Sequence, residues 1–236
     1  VHRFHWSDEA EPGRRKGRWT RGELDRLRDM YGLRPDEAIA RDLGRTPQSV
    51  RKMADELFRA ATKQGPWTAE DIQQLKRYLG ASAPETIARI LGRDLAEVQE
   101  QIVELSRVQH NARWTREENA ELRRLYGTRS DADLAVIFGR SLELVERQAR
   151  KLCLAKDKAF VKRVAGEGAT RMPRWSNEEL DLLRELYPRT SNLDIAQRLQ
   201  RSVKSVVSKA HHMGLKKELE RLQEMGRENV RLRYQS

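Results

Sequence analysis

The chain has 236 residues, with 47 Lys and Arg against 36 Asp and Glu, a formal net charge of +11 and a pI near 10.0. Such a balance favours a polyanionic partner, nucleic acid ahead of an anionic membrane surface. No stretch approaches the roughly 18 apolar residues of a membrane span, none reads as a secretory leader, and Cys153, the only cysteine, excludes an intrachain disulfide.

Residues 1–16 read as an N-terminal arm. Its end is basic: residues 12–18 run Pro-Gly-Arg-Arg-Lys-Gly-Arg, and Arg14, Arg15 and Lys16 are candidates for insertion into a DNA minor groove. His5-Trp6-Ser7-Asp8-Glu9 resembles the opening of a repeat without room for the rest of one.

Four repeats follow, at 17–64, 65–111, 112–154 and 173–215. Trp19, Trp67, Trp114 and Trp175 open them. Eight residues later stand Leu27, Leu75, Leu122 and Leu183, and 21 residues later Ala40, Ala88, Ala135 and Ala196. Arg45, Arg93, Arg140 and Arg201 come at 26, and Val50, Val98, Val145 and Val206 at 31. No gap is needed inside any repeat, so the chain is an array of one small fold. A unit of about 45 residues has a thin core, and the Trp reads as the plug of that core rather than as a base-stacking surface.

Each repeat predicts three short helices, and the last repeat shows it most cleanly. Ser176 caps a first helix with Glu178, Glu179 and Asp181 in its opening turn, and Leu180, Leu183 and Leu186 form one apolar face. Pro188 stops that helix. Ser191 or Asn192 caps a second, with Ile195, Ala196 and Leu199 inward. Thr46, Asp94, Ser141 and Ser202 follow the fixed arginine and cap the third helix. Gly44, Gly92 and Gly139 precede the arginine, as a tight turn between two helices prefers. Gln200 replaces that glycine in the last repeat and must tolerate or relax the turn.

This pattern resembles the Myb/SANT-like branch of the homeodomain-like helix–turn–helix proteins. The likeness rests on Arg174-Trp175-Ser176-Asn177-Glu178-Glu179, Leu183, Tyr187, Ile195-Ala196, Leu199, Arg201-Ser202, Val206 and Ala210. Ile39-Ala40-Arg41-Asp42-Leu43-Gly44-Arg45-Thr46 brings it closer to the bacterial form, and only the first of three spaced Myb tryptophans is present. The resemblance implies an all-α fold of four three-helix units. It implies DNA binding for Myb-like members and protein binding for SANT-like ones, and fold alone does not choose between them.

In a helix–turn–helix the third helix enters the major groove, and its outward residues differ between repeats. Repeat one offers Gln48, Ser49, Arg51 and Lys52, with Asp55 and Glu56 toward the end; Gln and Arg are the types that make bidentate contacts to adenine and guanine. Repeat two offers Glu97, Gln99, Glu100 and Glu104, which would repel phosphate. It reads as a spacer or as a docking surface for a basic protein partner. Repeat three is mixed, with Arg147, Arg150 and Lys151 beside Glu143 and Glu146. Repeat four offers Lys204, Ser205, Ser208, Lys209, His211 and His212 without an acid. The repeats carry net charges of +3, −2, +5 (with the following linker) and +2, so they do not share one task equally.

The fixed arginine could bind phosphate or pair with a first-helix carboxylate: Glu23, Asp71, Glu118 or Glu179. Residues 155–172 read as a basic, flexible hinge that frees repeat four. In 216–236, Leu219, Leu222 and Met225 continue a helical spacing begun at Leu215, so a C-terminal helix would pack within the chain or pair in a homodimer.

Metal-ligand spacing, a phosphate-binding loop and a nucleophile–base arrangement are all missing from the sequence, so no cofactor and no catalysis are expected. The expectation is a multi-repeat binder of double-stranded DNA in the cytoplasm, on the nucleoid, serving transcription regulation, architecture or DNA targeting. Its third helices in repeats one, three and four would do the binding. The alternative is a SANT-like protein-interaction scaffold.

Overall fold

The computed structural model describes residues 17–59, 63–107, 109–166 and 174–234, with side chains to 228. The basic arm, including Arg14, Arg15 and Lys16, lies outside the described residues. Among the described residues the fold is all-α, with no strand. Two compact units divide the chain, one up to residue 108 and one from residue 109.

The first unit holds α1 (Arg21–Met30), α2 (Asp36–Leu43) and α3 (Pro47–Leu57), then α4 (Ala69–Tyr78), α5 (Pro84–Leu91) and α6 (Leu95–Arg107). The second holds α7 (Arg116–Leu125), α8 (Asp131–Phe138), α9 (Leu142–Lys151) and α10 (Lys158–Ala165). It continues with α11 (Asn177–Leu186), α12 (Asn192–Arg198), α13 (Val203–His212) and α14 (Leu219–Tyr234).

The residue after each opening Trp starts a helix. Thr20, Thr68, Thr115 and Ser176 each accept the backbone N–H three residues on, and the carboxylate there reaches back to the cap's own N–H. Two unsatisfied donors of the helix end are met at once, and the acid complements the dipole. Apolar residues at helical spacing then turn inward. Leu27, Leu75, Leu122 and Leu183 are fully buried, as are Val50, Val98, Val145 and Val206 on the third helices. Ile39, Ile87, Leu134 and Ile195 complete the set from the second helices.

The turn between second and third helices is left-handed in all four repeats. Gly44, Gly92 and Gly139 have φ of 65°, 63° and 59°, where a Cβ is unfavourable. Gln200 adopts φ 50° all the same, and its side-chain amide donates to the Gln197 carbonyl at 2.7 Å. The turn geometry is thus tolerated rather than relaxed. Thr46, Ser141 and Ser202 then cap the third helices, accepting from Ser49, Leu144 and Ser205, while Asp94 accepts from the Ala96 N–H at 2.8 Å.

In the first unit, repeats one and two share packing. Leu33 of repeat one joins the core of repeat two, and Ile90 touches both cores. Ser82 donates from its hydroxyl to the Gly32 carbonyl. Gly32 has φ 77°, and a Cβ there would meet Ile90 at 2.7 Å, so this close approach requires glycine.

In the second unit, the reading of 155–172 as a flexible hinge is corrected. Residues 158–165 form α10, and the segment before it is tied down; residues 167–173 lie outside the described residues. The Asp157 N–H donates to the Gly127 carbonyl at 2.8 Å, the Val203 N–H to the Cys153 carbonyl at 3.1 Å, and Gln197 to the Lys151 carbonyl at 3.1 Å. Cys153 packs against the core of repeat four. Repeat four is therefore seated on the end of repeat three, because backbone groups of 151–157 find their partners there.

Just before the C-terminal helix, Leu215 joins the core of repeat four; within the helix Met225 is half-buried, while Leu219 is 71% and Leu222 50% exposed among the described residues. Among the described residues, no helix is long and apolar enough to cross a membrane.

Candidate nucleic-acid interface

The fixed arginine is committed internally. Arg45 Nε donates to Glu23 at 3.0 Å, and Arg93, Arg140 and Arg201 reach Asp71, Glu118 and Glu179 at 2.8, 2.8 and 2.7 Å. Each guanidinium also caps the backbone beside the opening Trp, on the carbonyls of Gly17 and Arg18, Gly65 and Pro66, Ala112, and Arg174. Each lies over the Trp ring, at 4.9, 4.7, 4.3 and 4.4 Å from its centre. The Trp is accordingly half-buried, one side packed on its core and the other against arginine. Of the two roles open to this arginine, the structure selects the carboxylate pair.

One carboxylate thus closes the capping box of the first helix and anchors the start of the third. Arg45 and the Thr20 N–H lower the Glu23 carboxyl to about 2. Lys63 and Arg93 hold Asp71 well below its usual range, and Arg201 lowers Glu179. The lock is better satisfied in repeats one and four. Nε of Arg93 and of Arg140 is buried without a hydrogen-bond partner, whereas Nε of Arg45 and Arg201 meets a carboxylate.

With the arginine withdrawn, the third-helix surface carries whatever binding the repeats do. In repeat four that surface lines an open groove of about 510 Å³. Lys204 and Lys209 of α13 line it with Lys158 of α10 and with Lys156, whose ammonium is taken by Asp131 at 2.9 Å. Ser205, Ser208, His212, Trp175 and Arg201 also line it, and Asp157 is its one carboxylate. Repeat one has a matching groove of about 550 Å³ beside Trp19, lined by Arg18, Ser49, Lys52, Met53 and Glu56. Ser49 and Lys52 fall 30 and 33 residues after their Trp, as Ser205 and Ser208 do. On α6 the surface is reversed in charge. Glu100 and Glu104 line an open groove of about 440 Å³ with Ala96, Gln99 and Val103.

The candidate side chains differ in exposure. On α3, Gln48, Arg51 and Lys52 are exposed and Ser49 is half-buried. On α9, Arg147, Arg150 and Lys151 are exposed. On α13, Lys204, Ser208, His211 and His212 are exposed, with Ser205 and Lys209 half-buried against the groove. Several are not free cations. Arg51 pairs with Asp36 at 3.0 Å, Arg147 with Glu143 at 3.0 Å, Arg150 with Glu146 at 3.9 Å and Lys204 with Asp157 at 2.6 Å. Exposed pairs of this kind contribute about 0–1 kcal/mol, so a phosphate can displace the carboxylate at little cost. Lys52, Lys151 and Lys209 have no ion pair among the described residues.

The sequence reading took Lys156 for a linker charge and left out Lys217. Lys156 Nζ sits 3.7 Å from the centre of the Tyr126 ring and donates to the Arg129 carbonyl at 2.6 Å. Lys217 sits 3.9 Å from the Tyr187 ring and donates to the Thr190 carbonyl at 2.5 Å. The backbone repeats too, because the Glu218 N–H donates to the Pro188 carbonyl as Asp157 does to Gly127. The signal was present as Leu154-Ala155-Lys156-Asp157 and Leu215-Lys216-Lys217-Glu218. Repeats three and four therefore extend beyond 154 and 215, and each leads into a fourth helix, α10 or α14.

Compared with family models, with curated proteins and with solved structures, the chain matches none.

Proposed function

We propose that this protein binds double-stranded DNA through the third helices α3, α9 and α13, as a Myb-like multi-repeat reader. The observation that carries the reading is the groove of repeat four, where Lys158, Lys204 and Lys209 stand around a single carboxylate, Asp157. Lysine pairs spaced across an open groove suit phosphate oxygens, and Ser205 and Ser208 can reach phosphate or base edges. The matching groove beside Trp19, with Arg18 and Lys52, supports a second contact in repeat one. The role would be transcription regulation, nucleoid architecture or DNA targeting.

The test is fluorescence anisotropy with duplex DNA across a salt series, comparing wild type with a Lys158→Ala, Lys209→Ala double variant. Each phosphate that the variant no longer neutralises lowers the slope of log affinity against log salt by about 0.9. A wild-type protein that fails to bind duplex at low salt would overturn the reading.

A second reading is a SANT-like protein scaffold. It is favoured by α6, where Glu100 and Glu104 face outward beside Val103, which is 49% exposed. Capture of a basic protein partner that disappears in a Glu100→Lys, Glu104→Lys variant, with no duplex binding, would select it.

A further inference from the structure

A second cavity lies behind α13, at the seat between repeats three and four. It has a volume of about 250 Å³. Its wall is mostly apolar: Leu152, Leu154, Ala155, Leu193 and Val203, with Tyr126 and Cys153. Two cations stand at its margin, Arg123 from the last turn of α7 and Lys204 from the first turn of α13. Arg123 has no ion-pair partner among the described residues, and Lys204 pairs only with Asp157 there. The margin therefore carries one more positive charge than negative.

We infer that this cavity is a binding site for a small monocarboxylate with a single-ring or short branched apolar body. Size sets the body. An apolar cavity of about 150 Å³ accommodates a benzene ring, so 250 Å³ holds a ring and a carboxylate, below the roughly 300–1,000 Å³ usual for larger ligands. Charge sets the head group, because a guanidinium beside apolar walls binds a carboxylate bidentately. The one carboxylate beside the cavity, Asp157 against Gly127, is already paired with Lys204 and leaves Arg123 to meet an anion.

The site is coupled to the groove of repeat four by two shared residues, Ala155 and Lys204. Lys204 lines both cavities. A carboxylate bound beside Arg123 competes with DNA phosphate for that ammonium, and a filled cavity also fixes the Cys153–Val203 seat on which α13 starts. The ligand then acts as an effector that weakens DNA binding. This coupling rests on the DNA reading proposed above; the ligand site does not.

Cys153 is the only thiol in the chain and lines the cavity, so its labelling reports occupancy directly. The experiment follows N-ethylmaleimide labelling of the full chain with benzoate, phenylacetate or isobutyrate up to about 10 mM, with benzamide as the uncharged control. At about ten times Kd, labelling slows about elevenfold. Benzamide should protect less than benzoate, and Arg123→Ala should remove the difference, whereas Ala155→Leu should abolish protection by filling the cavity. Unprotected labelling with all three acids overturns the site. Duplex affinity measured with and without the protecting acid tests the coupling: a fall supports it, and unchanged affinity overturns it. Protection in a protein that binds no duplex keeps the ligand site and overturns the DNA reading alone.

Discussion

Arg140 lays its guanidinium 4.3 Å from the centre of the Trp114 ring while only 1% of its side chain remains exposed. Removing it leaves the Ala112 carbonyl without this donor and Glu118 with the Thr115 N–H alone. Breaking a buried pair by deleting one partner costs about 3–5 kcal/mol. Arg140→Ala is expected to destabilise repeat three by about that amount, and Arg140→Lys to recover little, since one ammonium lacks the planar fork. Hydrogen exchange in α7–α9 measures it; protection equal to wild type would refute the buried lock.

Acid should loosen repeat one through Glu23. Its folded carboxyl titrates near 2 against 4.5 for the free group. The folded state therefore holds fewer protons than the unfolded between those values. The stabilisation is complete above about pH 4.5 and disappears as pH falls through 2. Melting temperature followed by circular dichroism from pH 6 to 2 should fall less steeply in Glu23→Gln, which starts lower at pH 6.

Gln200 holds a left-handed turn at φ 50° that the other three repeats assign to glycine. An L-residue there costs about 1–2 kcal/mol, partly offset because glycine gives the unfolded chain more freedom. Gln200→Gly is expected to stabilise repeat four by about 0.5–1 kcal/mol, and Gly44→Ala to destabilise repeat one by a similar amount. Urea titration of the full chain decides both signs.

Alkali should firm the end of repeat four. Burial, followed by repulsion from Arg221, lowers the Lys217 ammonium to about 8 from 10.5. Between those values the unfolded chain holds the proton that the folded chain has released, so stability from this group rises with pH across that window. Lys217→Met should flatten the difference in melting temperature between pH 7.5 and 10, and an unchanged slope would place the lysine in water.

How much of this could be read beforehand varies by position. The fully buried Leu27, Ile39 and Val50 and their counterparts follow from helical spacing alone, and Thr46, Ser141 and Ser202 cap where the turn chemistry puts them. The fate of the fixed arginine was not legible, because phosphate and carboxylate ask for the same residue type. Geometry decides it: Glu23 and Arg45 are 22 residues apart but meet at 3.0 Å. The groove of repeat four was half legible. Its α13 side came from one helix face, but Lys156 and Lys158 looked like charges on a linker. The segment carries Gly166 and Gly168 after only two turns of helical spacing in Phe160, Val161 and Val164, and its start is tied down by tertiary contacts, from Asp157 to Gly127 and Lys156 to Tyr126.

The lysine–tyrosine contact after repeats three and four has no counterpart after repeats one and two, where Ala61 and Gln109 hold the corresponding positions. The interval from Trp114 to Trp175 is 61 residues, against 48 and 47 for the earlier ones. The last two repeats carry a Leu-x-Lys-acid tail and a helix beyond it, which the first two lack among the described residues. Chain surgery inherits the difference. A cut-and-paste of this array should respect a 61-residue module in its second half, since a graft trimmed at residue 154 or 215 would leave Tyr126 or Tyr187 uncovered and strand the groove with one wall.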